Sequence, residues 1–445
     1  MTLDSTPALG KVSAAPLEQA KPLPLERAQS AAKLPSHIPA LDGIRGLAVL
    51  LVLFCHATQR PFESLGPEGT NAVFTGVIDK AILSFARLSW TGVDLFFVLS
   101  GFLITGILFD AKGKDHFFRN FYARRTVRIF PLYYASLVLF LLIWPLFPGA
   151  MSKGFGDITT SKIWYWLYLS NYSQAIAEGA GRTVTHILHV SWSLSIEEQF
   201  YLCWPLVVFL FTRKALLRIC VGMFFGSMLL RMGLLEMGKV YWAMGFTPCR
   251  VDGLAVGAAI ALVARGPDGI QSLIKPALLV LPLSALSIPA LIVGMYLLGY
   301  HQGIGQSPGY AVIGTALFAL FYGSILTLAA AAAKGAWLNR FFTHPILTVY
   351  GKYSYAVYLL HLPIMILLSE YVFHPSQLRV GPTLLPGLLL YYAMTWSLSL
   401  VAALISWNIL EKHCLKLKDY FPMEKKASTA TAWEGADVAT AGRAA

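Results

Sequence analysis

The sequence predicts an all-α integral membrane protein, a bundle of about ten transmembrane helices with both termini on the cytoplasmic side. Three observations carry this reading. Hydrophobic residues make up 56% of the 445 residues and charged residues only 13%, where a soluble domain carries about a quarter charged. The apolar residues fall in repeated runs of about 20, the length that crosses a bilayer core. Lys and Arg concentrate in alternate connecting segments, the bias that sets orientation in a membrane. A mean hydropathy of +0.60 agrees. An ordinary soluble enzyme, a collagen-like chain and a disulfide scaffold are excluded by the same composition.

Residues 1–37 are rich in Ala, Pro and Lys and lack an apolar core, so they read as a disordered cytoplasmic arm and not as a secretory signal. Ten spans follow, near residues 41–58, 90–109, 130–148, 192–211, 216–235, 246–264, 276–297, 307–331, 346–370 and 383–407. They form one transmembrane domain over residues 38–412. Between the third and fourth spans, the aromatic segment Ile163 to Tyr172 (IWYWLYLSNY) is too short to cross and reads as interfacial or re-entrant. Residues 413–445 read as a polar cytoplasmic tail. The net charge of +12 sits mainly in the connecting segments. Its strongest cluster, Lys112, Lys114, Arg119, Arg124, Arg125 and Arg128, follows the second span and votes for that side being cytoplasmic. This distribution fits a chain surrounded by membrane lipids and gives no footprint for nucleic acid. The five cysteines, Cys55, Cys203, Cys220, Cys249 and Cys414, form no CxxC pair. No metal and no permanently bound cofactor are expected.

Ionisable residues inside the spans are the functional candidates, since each costs roughly 2.5–3.5 kcal/mol at the centre of a membrane helix. Nine are singled out: Arg45, His56, Asp94, Glu197, Glu198, Arg250, Asp252, Lys352 and His361. In the first span, LDGIRGLAVLLVLFCHA, Arg45 and His56 lie within about 20° of one helix face and about 16 Å apart along the axis. Arg45 then falls near the cytoplasmic surface and His56 about two-thirds of the way across. The plain alternative is a snorkelling arginine and a histidine satisfied by a neighbouring helix. Imidazole suits proton transfer near neutral pH, and Cys55 points about 100° away from it.

The second span, WTGVDLFFVLSGFLITGILFD, carries Asp94 with Gly101 and Thr105 on the same face, so glycine there serves close helix approach or ligand access. Ser100 is a nucleophile only with a base beside it, and otherwise a small packing residue. The fourth span opens WSLSIEEQFYLCWP and brings Glu198, with Glu197, below the outer surface. One of the two is open to a helix-terminal role. The sixth, CRVDGLAVGA, adds Arg250 and Asp252 at similar depth, open to a mutual ion pair. The ninth adds His361. Placed separately, His56, Asp94, Glu198, Arg250 and His361 all fall in the outer half, which reads as one polar cavity holding a reaction centre. Ser100, Arg250, Asp252 and His361 are its candidate substrate contacts. At the inner end, Arg124, Arg125 and Arg128 in FYARRTVRIFPLYY can crowd one phosphorylated ligand, or simply anchor the helix. No Walker or dinucleotide loop is present.

These motifs resemble the membrane-bound acyltransferase 3 family, which includes bacterial O-antigen acetylases. The residues that carry the likeness are LDGIRGLAVLLVLFCHA with its Arg-x10-His spacing, GVDLFFVLSGFLIT, RRTVRIFPLYY, WSLSIEEQFYLCWP, RVDGLAVG and YGKYSYAVYLLHLPI. They cover roughly residues 38–412 in the family's order. The resemblance implies transfer of a short acyl group, usually acetyl, from cytoplasmic acyl-CoA as co-substrate to a hydroxyl of a cell-surface glycan or lipid-linked sugar, in the bacterial inner membrane. It makes His56 and Arg45 the principal pair, with His56 as base or acyl relay. Asp94, Glu198 and the cofactor-binding arginines Arg45, Arg124, Arg125 and Arg128 support it, Glu198 or Asp94 orienting the ring. Some members carry an extracytoplasmic hydrolase-like domain. This chain runs only shortly past the tenth span, so handover to a carrier is expected to need a separate extracytoplasmic acyl-handling protein. A secondary transporter of a small anionic solute, or a non-catalytic glycan-binding or assembly protein, are the competing classes. The first would couple uptake to an ion gradient; the second would keep its phenotype without His56.

Overall fold

A computed structural model describes residues 37–146, 162–181, 187–298 and 309–422. The expected arm and most of the expected tail lie outside the described residues. Within them the chain is helical, and pairing is confined to one isolated bridge, Val380 with Thr383. The chain is an all-α membrane protein: eight helices among the described residues are long and apolar enough to cross a bilayer.

Helix α1 (Pro39–Gln59) begins with proline in its first turn, where no N–H is needed, and has Asp42 at its positive end and His56 in its last turn. The helices α2 (Val77–Ser89) and α3 (Gly92–Ala111) follow, then α4 (Phe117–Leu137). The aromatic segment is divided between a five-residue helix, Lys162–Trp166, and the start of a second helix, Ser170–Gly179, with Tyr168 between them at a φ of 54°. Next come α5 (Ser191–Leu210), α6 (Arg213–Glu236), α7 (Asp252–Ala264), α8 (Ile274–Leu297), α9 (Thr315–Ala331), α10 (Pro345–Lys352), α11 (Ser354–Tyr371) and α12 (Leu385–Ser406).

Three expected spans differ in build. The fourth, α5, is a 20-residue helix, but Glu197, Glu198 and Gln199 reduce its apolar character. The sixth is broken at Val251 into a short helix, Thr247–Arg250, and the 13-residue α7. The ninth breaks at Tyr353 into α10 and α11. The expected tail also begins late. Helical turns Lys412–Leu415 and Lys416–Tyr420 continue past α12 and fold against α4, where Asn120 Nδ2 donates to the Pro422 carbonyl at 2.7 Å.

Position in the bundle follows side-chain size and polarity. Helix α3 is central, and 72% of the apolar window it shares with α2 is buried, against 22% for α6 and 17% for α8. Those two expose Phe225, Leu229, Leu279 and Leu286, a surface suited to hydrocarbon. The α3–α7 contact rests on glycine. A Cβ on Gly101 would lie 2.0 Å from the Leu254 carbonyl oxygen, and one on Gly257 1.9 Å from that of Val98. Gly101 therefore serves close helix approach, and the ligand-access alternative falls away.

Candidate active site

Arg45 and His56 stand eleven positions apart on one helix, so α1 presents them on one face at opposite ends, about 16 Å apart by helix rise. Each end belongs to a different constellation.

At the Arg45 end lies a cavity of about 170 Å³ bounded by α1, α3, α4, α5 and α11. Arg45 is held by Asp42 at 2.9 Å, an i,i+3 pair within the first turns of α1. Helix α4 adds Arg125 and Arg128, three residues apart and so on one face. The Arg125 guanidinium lies over the Tyr201 ring, 4.1 Å from its centroid, and its Nε has no hydrogen-bond partner among the described residues. From α5 come Glu197 and Glu198; from α3, Ser100 donates its hydroxyl proton to Glu197. Leu99, Leu103 and Ile104 give the wall an apolar stretch, and Ser193, Ser354, Tyr355 and Tyr358 add hydroxyls. Arg125, Glu198 and Tyr201 also bound a second cavity of about 190 Å³ between α4 and α5.

At the other end, His56 Nδ1 is 2.8 Å from His361 Nε2, with ring centroids 5.1 Å apart and planes inclined by 22°. His361 is fully buried on α11. Its Nδ1 lies 2.6 Å from the Tyr358 carbonyl oxygen and 3.2 Å from that of Val357. Tyr358 links the two ends. Its ring lines the first cavity and lies 5.8 Å from the His361 ring, while its hydroxyl is hydrogen-bonded to Ser193. Arg60, one turn beyond His56 and ion-paired with Glu63, and His189 are the charged or titratable neighbours acting on His56 besides His361.

A third group binds the bundle together. Arg250 donates to Asp94 at 2.6 Å, and Arg231 of α6 donates to Asp252 at 2.7 Å and to the Cys249 carbonyl. Both arginines are fully buried. Arg250 lies among the rings of Trp90, Phe97 and Trp192, at 5.4, 5.8 and 5.9 Å. Those faces receive the guanidinium where carboxylate contacts end.

The site residues named from sequence therefore divide among three groups. The five placed in one outer layer do not line one cavity, since depth along a helix says nothing about the direction a side chain faces. Asp94 and Glu198 do not orient His56: Asp94 is taken by Arg250, Glu198 lies in the cavity wall with Arg125, and His361 occupies the place beside the ring. Arg250 and Asp252 are not each other's partners, because the break at Val251 turns each toward a different helix. Arg124 leaves the arginine cluster, donating to the carbonyls of Phe421 at 3.1 Å and Lys418 at 3.5 Å. Arg45 takes its place beside Arg125 and Arg128. Sequence reasoning missed Tyr201 and Tyr358. Helical spacing was the available signal, with Tyr201 four residues after Glu197 and Tyr358 three before His361.

Comparison with known proteins decides the family. The model of the acyltransferase domain family (Acyl_transf_3) matches residues 38–407. The chain belongs to this acyltransferase family. The likeness seen in the sequence motifs is thus a family relationship. Among the proteins similar to this chain is the peptidoglycan O-acetyltransferase OatA of Listeria monocytogenes, 28% identical over 74% of this chain and 50% of its own length. The putative peptidoglycan O-acetyltransferase YrhL of Bacillus subtilis is 28% identical over 74% of this chain and 49% of its own length. The O-acetyltransferase OatA of Staphylococcus aureus is 23% identical over 76% and 52%. The chain spans about half the length of these relatives. No solved structure matches it. Within this acyltransferase family chain, all three buried groups lie in the matched region.

Proposed function

We propose that this chain transfers an acyl group, acetyl in the first instance, from acyl-CoA in the cytoplasm to a hydroxyl of a cell-surface glycan. The membrane is the bacterial cytoplasmic membrane, with the Arg45 end of the bundle facing inward as the basic residues favour. The observation that carries the reading is a buried imidazole pair at one end of α1 and an arginine-lined cavity at the other. The relatives' names supply the glycan class of acceptor.

Arg45, Arg125 and Arg128 suit the phosphates of CoA, since guanidinium groups bind phosphate oxygens bidentately. Glu197 and Glu198 limit the net positive charge, which favours release of the spent carrier. The apolar wall of Leu99, Leu103 and Ile104 suits a pantetheine arm leading toward Tyr358. The acceptor oxygen attacks the thioester carbonyl carbon, and His56 takes the hydroxyl proton. The new C–O bond forms, the C–S bond breaks, and the thiolate leaves as free CoA after receiving that proton. Low-polarity walls limit competing hydrolysis. In a relay variant, His56 itself carries the acyl group, and trapping acyl-His56 distinguishes the two routes.

The test is transfer of label from acetyl-CoA in membranes, with the acceptor identified by mass spectrometry. His56→Ala is expected to abolish transfer while leaving membrane insertion intact. Full activity in that variant would remove the proposed base.

A further inference from the structure

We infer that His361 is a positioning residue that fixes the tautomer of His56, making Nε2 of His56 the atom that takes the acceptor's proton. This rests on His56 being the base proposed above, and adds which of its nitrogens reacts and what holds it so.

The chain of donors and acceptors starts at the backbone. A carbonyl oxygen only accepts hydrogen bonds. The contacts of His361 Nδ1 to the carbonyls of Tyr358, at 2.6 Å, and Val357, at 3.2 Å, therefore require a proton on that nitrogen. A neutral imidazole has one ring proton, so His361 Nε2 carries a lone pair. Facing it at 2.8 Å is His56 Nδ1, and one proton occupies the space between. That proton belongs to His56 Nδ1. Neutral His56 then has its lone pair on Nε2, the ring atom turned away from His361. Which nitrogen of an imidazole is free is set by the hydrogen bond that the other one makes.

The arrangement holds through the proton transfer. When Nε2 accepts a proton from the acceptor hydroxyl, Nδ1–H goes on donating to His361, and no partner has to change. A preoriented environment of this kind lowers a barrier because nothing reorganises during the step. The device differs from a carboxylate-oriented histidine in that its orienter is uncharged. The carboxylates on the page are committed elsewhere, Asp94 to Arg250 and Glu63 to Arg60. A neutral ring adds no further charge to a buried site. Its orientation comes from α11 itself, since the carbonyls that fix it lie three and four residues back on the same helix.

The experiment uses the full chain in membranes with labelled acetyl-CoA. His361→Leu removes the acceptor for His56 Nδ1–H and is expected to lower kcat by about 10²–10⁴, with KM for acetyl-CoA little changed. His361→Gln, whose amide oxygen can accept that proton, is expected to recover part of the loss and keeps the comparison available if leucine is not tolerated by the fold. The decisive variant places Nδ1-methylhistidine at position 56 in a His361→Ala background. The methyl group occupies vacated space and locks the lone pair onto Nε2. Activity at least about 10²-fold above His361→Ala alone, the lower end of the span just given, supports the tautomer role. Absence of rescue in folded protein that still binds acetyl-CoA overturns it, as does a His361→Leu enzyme with undiminished kcat. Either result leaves His56→Ala as the separate test of the underlying reading.

Discussion

The buried arginines at positions 231 and 250 differ from the half-buried Arg125 and the exposed Arg128 in what they face. Arg231 and Arg250 each meet one carboxylate at hydrogen-bond distance, Asp252 and Asp94, deep in the bundle. Arg125 and Arg128 line a cavity and form no ion pair with any described residue. Glu197 and Glu198 share the cavity wall with them, and Glu197 accepts a hydrogen bond from Ser100. Desolvating a charge costs several kcal/mol even after relaxation, and close pairing offsets this. A pair matched one to one has no charge left for a ligand and acts as architecture. Cations in a cavity without a matched carboxylate retain the capacity to bind an anion. The two regions differ in whether the fold itself supplies each arginine with a carboxylate.

That contrast is open to direct attack. Breaking a pair should give the largest effect: Arg250→Ala strands Asp94 and is expected to lower stability by about 3–5 kcal/mol, measured as thermal unfolding in detergent. Arg125→Ala should leave the unfolding temperature within a degree or two of wild type, by its place in the cavity wall. It is expected to weaken acetyl-CoA binding by about 1.5–3 kcal/mol, the value of a hydrogen bond to a charged group, read as a rise in KM. Equal loss of stability in both variants would erase the distinction. Replacing both partners, Arg250→Met with Asp94→Leu, should restore stability to within about 1 kcal/mol of wild type, because an apolar pair avoids the desolvation cost. Smallest is Arg265→Ala, which removes a partner of the half-exposed Asp110 at 2.7 Å and is expected to cost about 0.2–1 kcal/mol. A larger loss there would mean that exposure is not what separates weak pairs from strong ones.

Much of the fold was legible in advance. Nine of the charged or imidazole side chains stood out against their apolar runs, and most span limits agree with helices to within a few residues. The breaks at Val251 and Tyr353 were not legible. Val251 lies between Arg250 and Asp252 and Tyr353 between Lys352 and Ser354, and hydropathy averaged over a window spreads those polar positions into the apolar residues around them. At the site, Arg45 and His56 were recognisable as opposite ends of one helix face because both belong to α1. His361 was recognised as a candidate but not as the neighbour of His56, which lies 305 residues earlier. Arg124 and Arg125 are adjacent in sequence, and about 100° of helix rotation sends one to the C-terminal turns and the other into the cavity.

The sequence by itself determined the solvent of this protein, the approximate length and order of its helices, and most of the charged and imidazole side chains that interrupt them. Those are properties of a single chain read along one dimension: run length, hydropathy and spacing. Tertiary structure alone decided the pairing of charges and the neighbour of each imidazole. A helix of known position still has one free rotation about its axis, and contacts between helices set it. Where Gly101 and Gly257 let α3 and α7 meet backbone to backbone, the direction of every polar side chain on those helices is fixed with them.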